Sequence, residues 1–289
     1  MLHKYVGEIN MLLTNCKILI NKKLQKKDIL IENGKIKKIG EGLKTLSSDK
    51  MIDIKEKIVF PGLIDPHVHF RDPGLTQKED LYTGSVAAAK GGVTTFIDMP
   101  NVIPPMTTVT LLEERRALAK KSVVNYGFHF GGSVDGIDEI KKAKNVASTK
   151  VFLNSSTGKL LITDEKTLKE IFKSSKLMTV HAEDAKVKLA IDIAKEAKTK
   201  LYLCHISQIS ELEMIKNSGY KNLFVEVTPH HLFLTEKDKS YLNIMKPPLR
   251  SQEDQNALWE AINKGIVDTI GTDHGPHLES EKKEKETYG

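Results

Sequence analysis

The residues most able to do chemistry lie in the run Asp65-Pro-His67-Val-His69-Phe-Arg71-Asp72-Pro-Gly74. His67 and His69 are two apart at the end of an apolar stretch. On a strand, side chains at i and i+2 share a face, so both imidazoles can reach one metal ion. An isolated pair of this kind is better accounted for as two exposed or core histidines. Three further residues recur in the same context, at the ends of later apolar runs: His181, His205 and Asp273. Four histidines and an aspartate at one end of successive strands are hard to explain by packing, and imidazole with carboxylate suits Zn²⁺. Lys150 opens another apolar run, Lys150-Val-Phe-Leu-Asn154. A protonated lysine beside a cation is costly. Such a lysine can stay neutral, serve as a Schiff-base amine, or be carboxylated by CO₂ into an anionic bridge. Taken alone, it is one of many solvated lysines.

Positioning these groups requires a repeating scaffold. Short apolar runs at 58–65, 94–99, 123–130, 148–153, 178–181, 201–205, 223–227 and 269–273 read as strands. Amphipathic stretches at 80–90, 110–120, 165–174, 184–196, 208–217 and 254–263 read as helices between them. Eight strands alternating with helices predict a (β/α)₈ barrel, an α/β fold whose strand ends converge on one site. An open doubly wound sheet is the competitor, but no G-x-G-x-x-G follows the first strand. Ahead of the barrel, residues 11–60 read as short strands, with a hairpin turning at Asn33-Gly34, a pair suited to a type I′ turn. The expected division is a small β-sandwich segment over residues 1–57 and a barrel over 58–289. Only sixteen residues of charged composition follow the eighth strand, so barrel closure is expected to be incomplete and its wall open or covered by a neighbour.

Composition narrows the function class. The 289 residues are 39% hydrophobic and 28% charged, which excludes a mostly disordered chain. No apolar run approaches the ~20 residues of a membrane span. Two cysteines, Cys16 and Cys204, are too few for a disulfide scaffold, and a cytoplasmic setting is expected. The net charge of +6 sits in residues 1–60, which hold 13 Lys against 7 acids. With four arginines in the chain and no aromatics in the basic stretch 22–27, nucleic-acid binding is disfavoured.

Taken together, the motifs resemble the dihydroorotases of the cyclic amidohydrolase superfamily. The resemblance runs from about Cys16 to His277. It rests on the stretch from Pro61 to Gly74, on Lys78-Glu-Asp80, Gly91-Gly-Val-Thr-Thr95, Met99-Pro-Asn101, Lys150 to Asn154, Glu226 to Leu232, Pro247-Pro-Leu-Arg250, and Thr272 to His277. It implies that His67, His69 and Asp273 hold a first metal and His181 and His205 a second. Lys150 matches the lysine that is carboxylated in some members, so that two Zn²⁺ ions would be bridged by it and by hydroxide. Arg71, Asn101 and His277 match residues that hold the substrate carboxylate. Ser156 and Thr157 match hydroxyls of a covering lid, and Asp273 the group that shuttles the proton. His129, His230, His231 and His274 are read as supporting residues, and a third ion near Cys204 and Glu226 stays open. Members continue past the equivalent of the last strand, so this chain reads as C-terminally shortened.

The implied reaction is the reversible cyclisation of N-carbamoyl-L-aspartate to dihydroorotate in pyrimidine biosynthesis. Allantoinase or hydantoinase activity, or an inactive scaffold for a carbamoyltransferase, are the alternatives. Arg71 favours a carboxylate-bearing ring, and no expected metal ligand is missing. A small-molecule substrate, a homodimer and association with aspartate carbamoyltransferase are the partner expectations.

Overall fold

The computed structural model describes residues 10–44, 50–155, 160–284 and 287–288. Two compact units divide at Gly62. In the first, β1 (Met11–Ile20), β2 (Lys23–Glu32), β3 (Lys35–Gly40) and β4 (Lys50–Asp53) form one sheet in the order β3-β2-β1-β4. Both hairpin turns have two residues at positive φ, Asn21-Lys22 and Asn33-Gly34. That backbone matches the strand twist, which is why Asn-Gly appears at the second. A bulge at Asn15, also at positive φ, turns Cys16 and Ile18 onto Ile29 to make a small core.

The expected strand over 58–65 is divided between the units. Ile58 bridges Lys17 and Val59 N donates to Lys17 O at 2.8 Å, so this segment belongs to the first sheet. The next strand, β5 (Leu63–Val68), opens the second unit. The boundary therefore falls at residues 62/63 and not at 57/58.

The second unit alternates strand and helix. After β5 come α1 (Leu81–Lys90), β6 (Val93–Asp98), α2 (Val109–Leu118), β7 (Asn125–Phe128), β8 (Phe130–Gly131), α3 (Ile137–Lys142) and β9 (Thr149–Phe152). Then follow α4 (Glu165–Lys173), β10 (Leu177–His181), α5 (Ala185–Ala197), β11 (Lys200–Leu203), α6 (Ile209–Ser218), β12 (Leu223–Val227), α7 (Pro229–Phe233), α8 (Gln252–Asn263), β13 (Thr269–Ile270) and α9 (Glu279–Glu284). The strands pair in parallel in two sheets, β5-β6-β7 and β13-β12-β11-β10-β9-β8. β7 and β8 are one extended run broken at His129, whose N donates to Asp98 O.

Local chemistry explains the helix starts. Asp80 and Thr83 cap each other reciprocally at α1, as do Ser251 and Asp254 at α8. Thr108 and Asp164 cap α2 and α4. α6 ends on Gly219 at positive φ, where a Cβ would be strained. Buried strand residues Phe96, Val151, Val180 and Val225 meet Leu112, Ile171, Ile191, Leu212 and Leu258 of the helices in one core. Among the described residues, no helix is long and apolar enough to cross a membrane.

The wall after β13 was expected to be open or covered by a neighbour. At the strand ends Asp273 N donates to His67 O at 2.9 Å and His69 N donates to His274 O at 2.7 Å. Asp273, at positive φ, turns its amide toward His67, and His274 then presents its carbonyl to the amide of His69. Away from this seam, Leu63, Ile64 and Ile270 are 57%, 64% and 50% exposed.

Candidate metal centre

The carboxyl ends of the strands carry the buried polar residues. His67 is the residue before last in β5, Lys150 lies in β9, His181 ends β10, His205 follows β11 and Glu226 lies in β12; all five are buried. His67 Nε2, His69 Nε2 and Asp273 Oδ1 form a triangle, with sides of 3.1 Å between the rings and 3.0 and 2.9 Å to the carboxylate. The partners of the other ring nitrogens fix the tautomers. His67 Nδ1 faces Glu226 Oε1 at 2.7 Å, and His69 Nδ1 faces Asn101 Oδ1 at 2.5 Å. Both acceptors require Nδ1–H, which leaves both Nε2 lone pairs aimed at the Asp273 oxygen. Three lone pairs converging at this range repel unless a proton or a cation lies among them. Burial works against charging His67, yet Glu226 and Asp273 outweigh it and hold its pKa well above 6.5. Burial holds His69 down at about 4. Asp273 is pressed well below the usual carboxylate range because His67 and His69 overcome the opposing effect of burial.

The second pair is contiguous. His181 Nδ1 and His205 Nε2 are 2.9 Å apart, and the His67 and His205 rings are 5.5 Å apart between centroids. His205 Nδ1 is buried and has no hydrogen-bond partner among the described residues. Burial keeps both rings neutral at neutral pH, with the Lys150 charge a lesser contribution. His205 and Asp273 both take positive φ, a conformation that non-glycine residues adopt only when their surroundings enforce it. The donor set therefore fits a metal: His69, His181 and His205 held neutral by burial, His67 in a position where a cation can take the place of its proton, a carboxylate, and a buried nitrogen with no partner among the described residues. Two groups among the described residues have ligand atoms close enough to share an ion, His67-His69-Asp273 and His67-Cys204-His205. Lys150 Nζ, as an unmodified amine, donates to Cys204 Sγ at 3.0 Å and lies 4.8 Å from the Phe152 ring centre.

Arg71 opens on the same cavity as His67, His69, His181, His205 and Asp273. Its Nε donates to Pro276 O at 3.0 Å and its Nη2 lies 3.2 Å from His277 Nε2. His277 is held between Arg71, Lys78 and Glu281. Asn101 spends its carboxamide oxygen on His69, a contact the sequence did not suggest. Ser156 and Thr157 lie outside the described residues.

The amidohydrolase family pattern matches residues 58–283, nearly all of the second unit. This chain belongs to the amidohydrolase family. A dihydroorotase of Methanosarcina acetivorans is 39% identical to it over 93% of this chain and 68% of that protein. A dihydroorotase of Pyrococcus abyssi is 36% identical over 92% and 68%. Among solved structures, the L-hydantoinase (dihydropyrimidinase) of Arthrobacter aurescens superposes with a TM-score of 0.84 at 26% identity, covering 95% of this chain and 71% of that one.

Several residues that shape this amidohydrolase site escaped the sequence reading. Asp65 accepts from His67 N and Thr272 N at 3.1 Å each, and from Thr272 Oγ1 at 2.5 Å, so it ties β5 to the segment that carries Asp273. Asp98 accepts from Phe70 N at 3.0 Å and pairs with Arg115 of α2, which also donates to Met99 O and Phe70 O. This clamp holds the residues beside His69 and Asn101. The signal for it was an arginine in an otherwise apolar helix stripe. Of the other described histidines, His129 bonds Ser148 and Pro66, His231 bonds Thr228 and Pro247, and His274 bonds Glu79, whereas His230 lies 2.9 Å from Thr228 Oγ1 and lines the same cavity as Arg71.

Proposed function

We propose that this amidohydrolase is a dihydroorotase, which hydrolyses the ring amide of dihydroorotate and, in reverse, closes N-carbamoyl-L-aspartate. The observation that carries the reading is the His67-His69-Asp273 triangle opening on the same cavity as Arg71. Its scaffold is read as a (β/α)₈ barrel with the reaction at the carboxyl ends of the strands, and residues 1–62 as a separate small β unit. His67, His69 and Asp273 would hold one Zn²⁺, and His181 and His205 a second, with Lys150 as a carboxylated bridge. Bound there, divalent ions would activate water and polarise the ring carbonyl.

The chain's own groups supply the rest. Asp273 takes a proton from the attacking water and returns it to the amide nitrogen as the C–N bond breaks. Arg71 presents a planar fork to the substrate carboxylate, braced from behind by Pro276 O and His277. Asn101 holds His69 in its productive tautomer and completes the carboxylate-facing wall. The lid hydroxyls of Ser156 and Thr157 would exclude water during the reaction. Lys150 must leave Cys204 to form a carbamate: the ammonium releases two protons, its nitrogen bonds the carbon of CO₂ and keeps one N–H, and one positive charge becomes one negative charge shared by two oxygens. That anion offsets part of the charge that two divalent ions bring. A cytoplasmic homodimer, and association with aspartate carbamoyltransferase, complete the proposal.

The alternative is a cyclic amidase of the hydantoinase type, which the L-hydantoinase likeness favours. The test is zinc content together with turnover of dihydroorotate, hydantoin and dihydrouracil. Two zinc ions per chain and preference for dihydroorotate support the reading. Preference for a ring without a carboxylate overturns it.

A further inference from the structure

Glu226 is wholly buried, and its carboxylate is saturated in an unusual way. Oε1 accepts from His67 Nδ1 at 2.7 Å and from the His205 backbone N at 2.9 Å. Oε2 accepts from the Tyr202 hydroxyl at 2.6 Å, and that hydroxyl is 2.7 Å from Thr269 Oγ1. One oxygen therefore touches both histidine sets: the ring of His67 and the backbone of His205, which sits at φ 35°. Nearby, Gly271 is packed so closely that a Cβ there would stand 2.4 Å from Oε2. The site is thus built around the carboxylate, from the ring, from the backbone and from the opposing strand.

We infer that Glu226 is a positioning residue that locks the two histidine sets into one unit, through the His67 tautomer and the His205 backbone. A carboxylate suits the position because all three neighbours donate to it, and it is an acceptor at both oxygens. A carboxamide keeps the shape but accepts at one oxygen only and sets an N–H₂ against Tyr202 or His67. The hydrogen bond to His67 Nδ1–H also raises the donor strength of Nε2, as outer carboxylates do for metal-ligating histidines. Tyr202 acts one step further out, by fixing the rotation of the carboxylate.

This inference rests on the proposed zinc centre, and the experiment separates the two. Zinc affinity is measured by competition with a coloured chelator on the full chain, alongside turnover of dihydroorotate and the unfolding temperature of the zinc-free protein. Glu226→Gln should weaken both zinc ions together by about 10- to 100-fold. Tyr202→Phe should weaken them by roughly fivefold, the equivalent of one hydrogen bond of about 1 kcal/mol. Both zinc-free variants should unfold within a few degrees of the parent, which a purely structural role would not allow. If Glu226→Gln binds zinc as tightly as the parent, or drops exactly one ion while the other is unchanged, the inference is overturned. Tyr202→Phe decides the same point should Glu226→Gln fail to fold: unchanged affinity there refutes it. A parent protein that binds zinc without turning over dihydroorotate removes the proposed function and leaves the role of Glu226 standing.

Discussion

Replacing Arg115 by methionine should test whether the buried clamp behind the site is as costly to break as its geometry implies. Arg115 and Asp98 are 1% and 0% exposed, and the guanidinium also serves Met99 O and Phe70 O at 3.2 Å each. Methionine keeps much of the stem volume against Phe128 but strands the carboxylate. Breaking a buried pair from one side costs about 3–5 kcal/mol. At about 2–4 °C per kcal/mol for a unit of this size, the unfolding temperature should fall by roughly 6–20 °C. The loss should depend on pH. Burial already holds the Asp98 pKa up at about 6, with Arg115 pulling it down. Native Asp98 thus binds its proton more tightly than the unfolded chain does. Its contribution to stability is fullest below pH ~4 and has faded by about pH 6, a change of about 3 kcal/mol. Without Arg115 the native pKa moves higher still, so the variant keeps losing stability above pH 6. The gap from the parent should widen by up to about 1.4 kcal/mol per pH unit between 6 and 8. Denaturant unfolding followed by circular dichroism, on metal-free protein at several pH values, reads this directly. Arg115→Met with Asp98→Asn should recover much of the loss, because no charge is then left buried. A loss under about 1 kcal/mol with no pH dependence from 6 to 8 would refute the reasoning.

Lys150→Ala should cost nearly all turnover and the second zinc ion, and a small carboxylic acid in the buffer should restore part of both. Two ions and a normal rate in that variant would exclude a bridging lysine. Arg71→Lys should raise KM more for dihydroorotate than for dihydrouracil, because a point charge cannot copy the two-pronged fork; equal changes would place Arg71 outside the substrate site. His277→Ala should weaken substrate binding with zinc content unchanged, since His277 contacts Arg71 and not the histidine sets. Asp80→Ala should remove an N-cap worth about 0.5–2 kcal/mol. The backbone N–H of Thr83 holds the Asp80 pKa down at about 2, so the deficit should be full above pH ~4 and shrink as pH falls toward 2. A deficit that does not change with pH would mean the cap is not acting through its charge.

The sequence carried the alternation well, because strand and helix periods are local. The eight apolar runs and six amphipathic stretches lie within a few residues of observed elements, and β12 (Leu223–Val227) matches at both ends. The Asn33-Gly34 hairpin was readable because the turn needs positive φ at two adjacent residues. The start of β5 was not, since Ile58 and Val59 are as apolar as strand residues must be, and only their pairing with Lys17 assigns them to the first unit. α3 and α7 were missed because six and five residues are too short to show a helical period.

Which side chains could hold a metal is legible in the residue order. Histidine and aspartate at strand ends are a statement about residue type and spacing, and both are local. How those groups are held depends on contacts between residues far apart in the chain. The His67 tautomer depends on Glu226, 159 residues away, and the Asp273 segment depends on Asp65, 207 residues from Thr272. Such partners are ordinary acids in the sequence. They acquire a role because neighbouring strands bring them, out of water, to within hydrogen-bond range of a specific nitrogen. There the absence of solvent makes an unmatched donor costly, and the one partner within reach then sets the orientation.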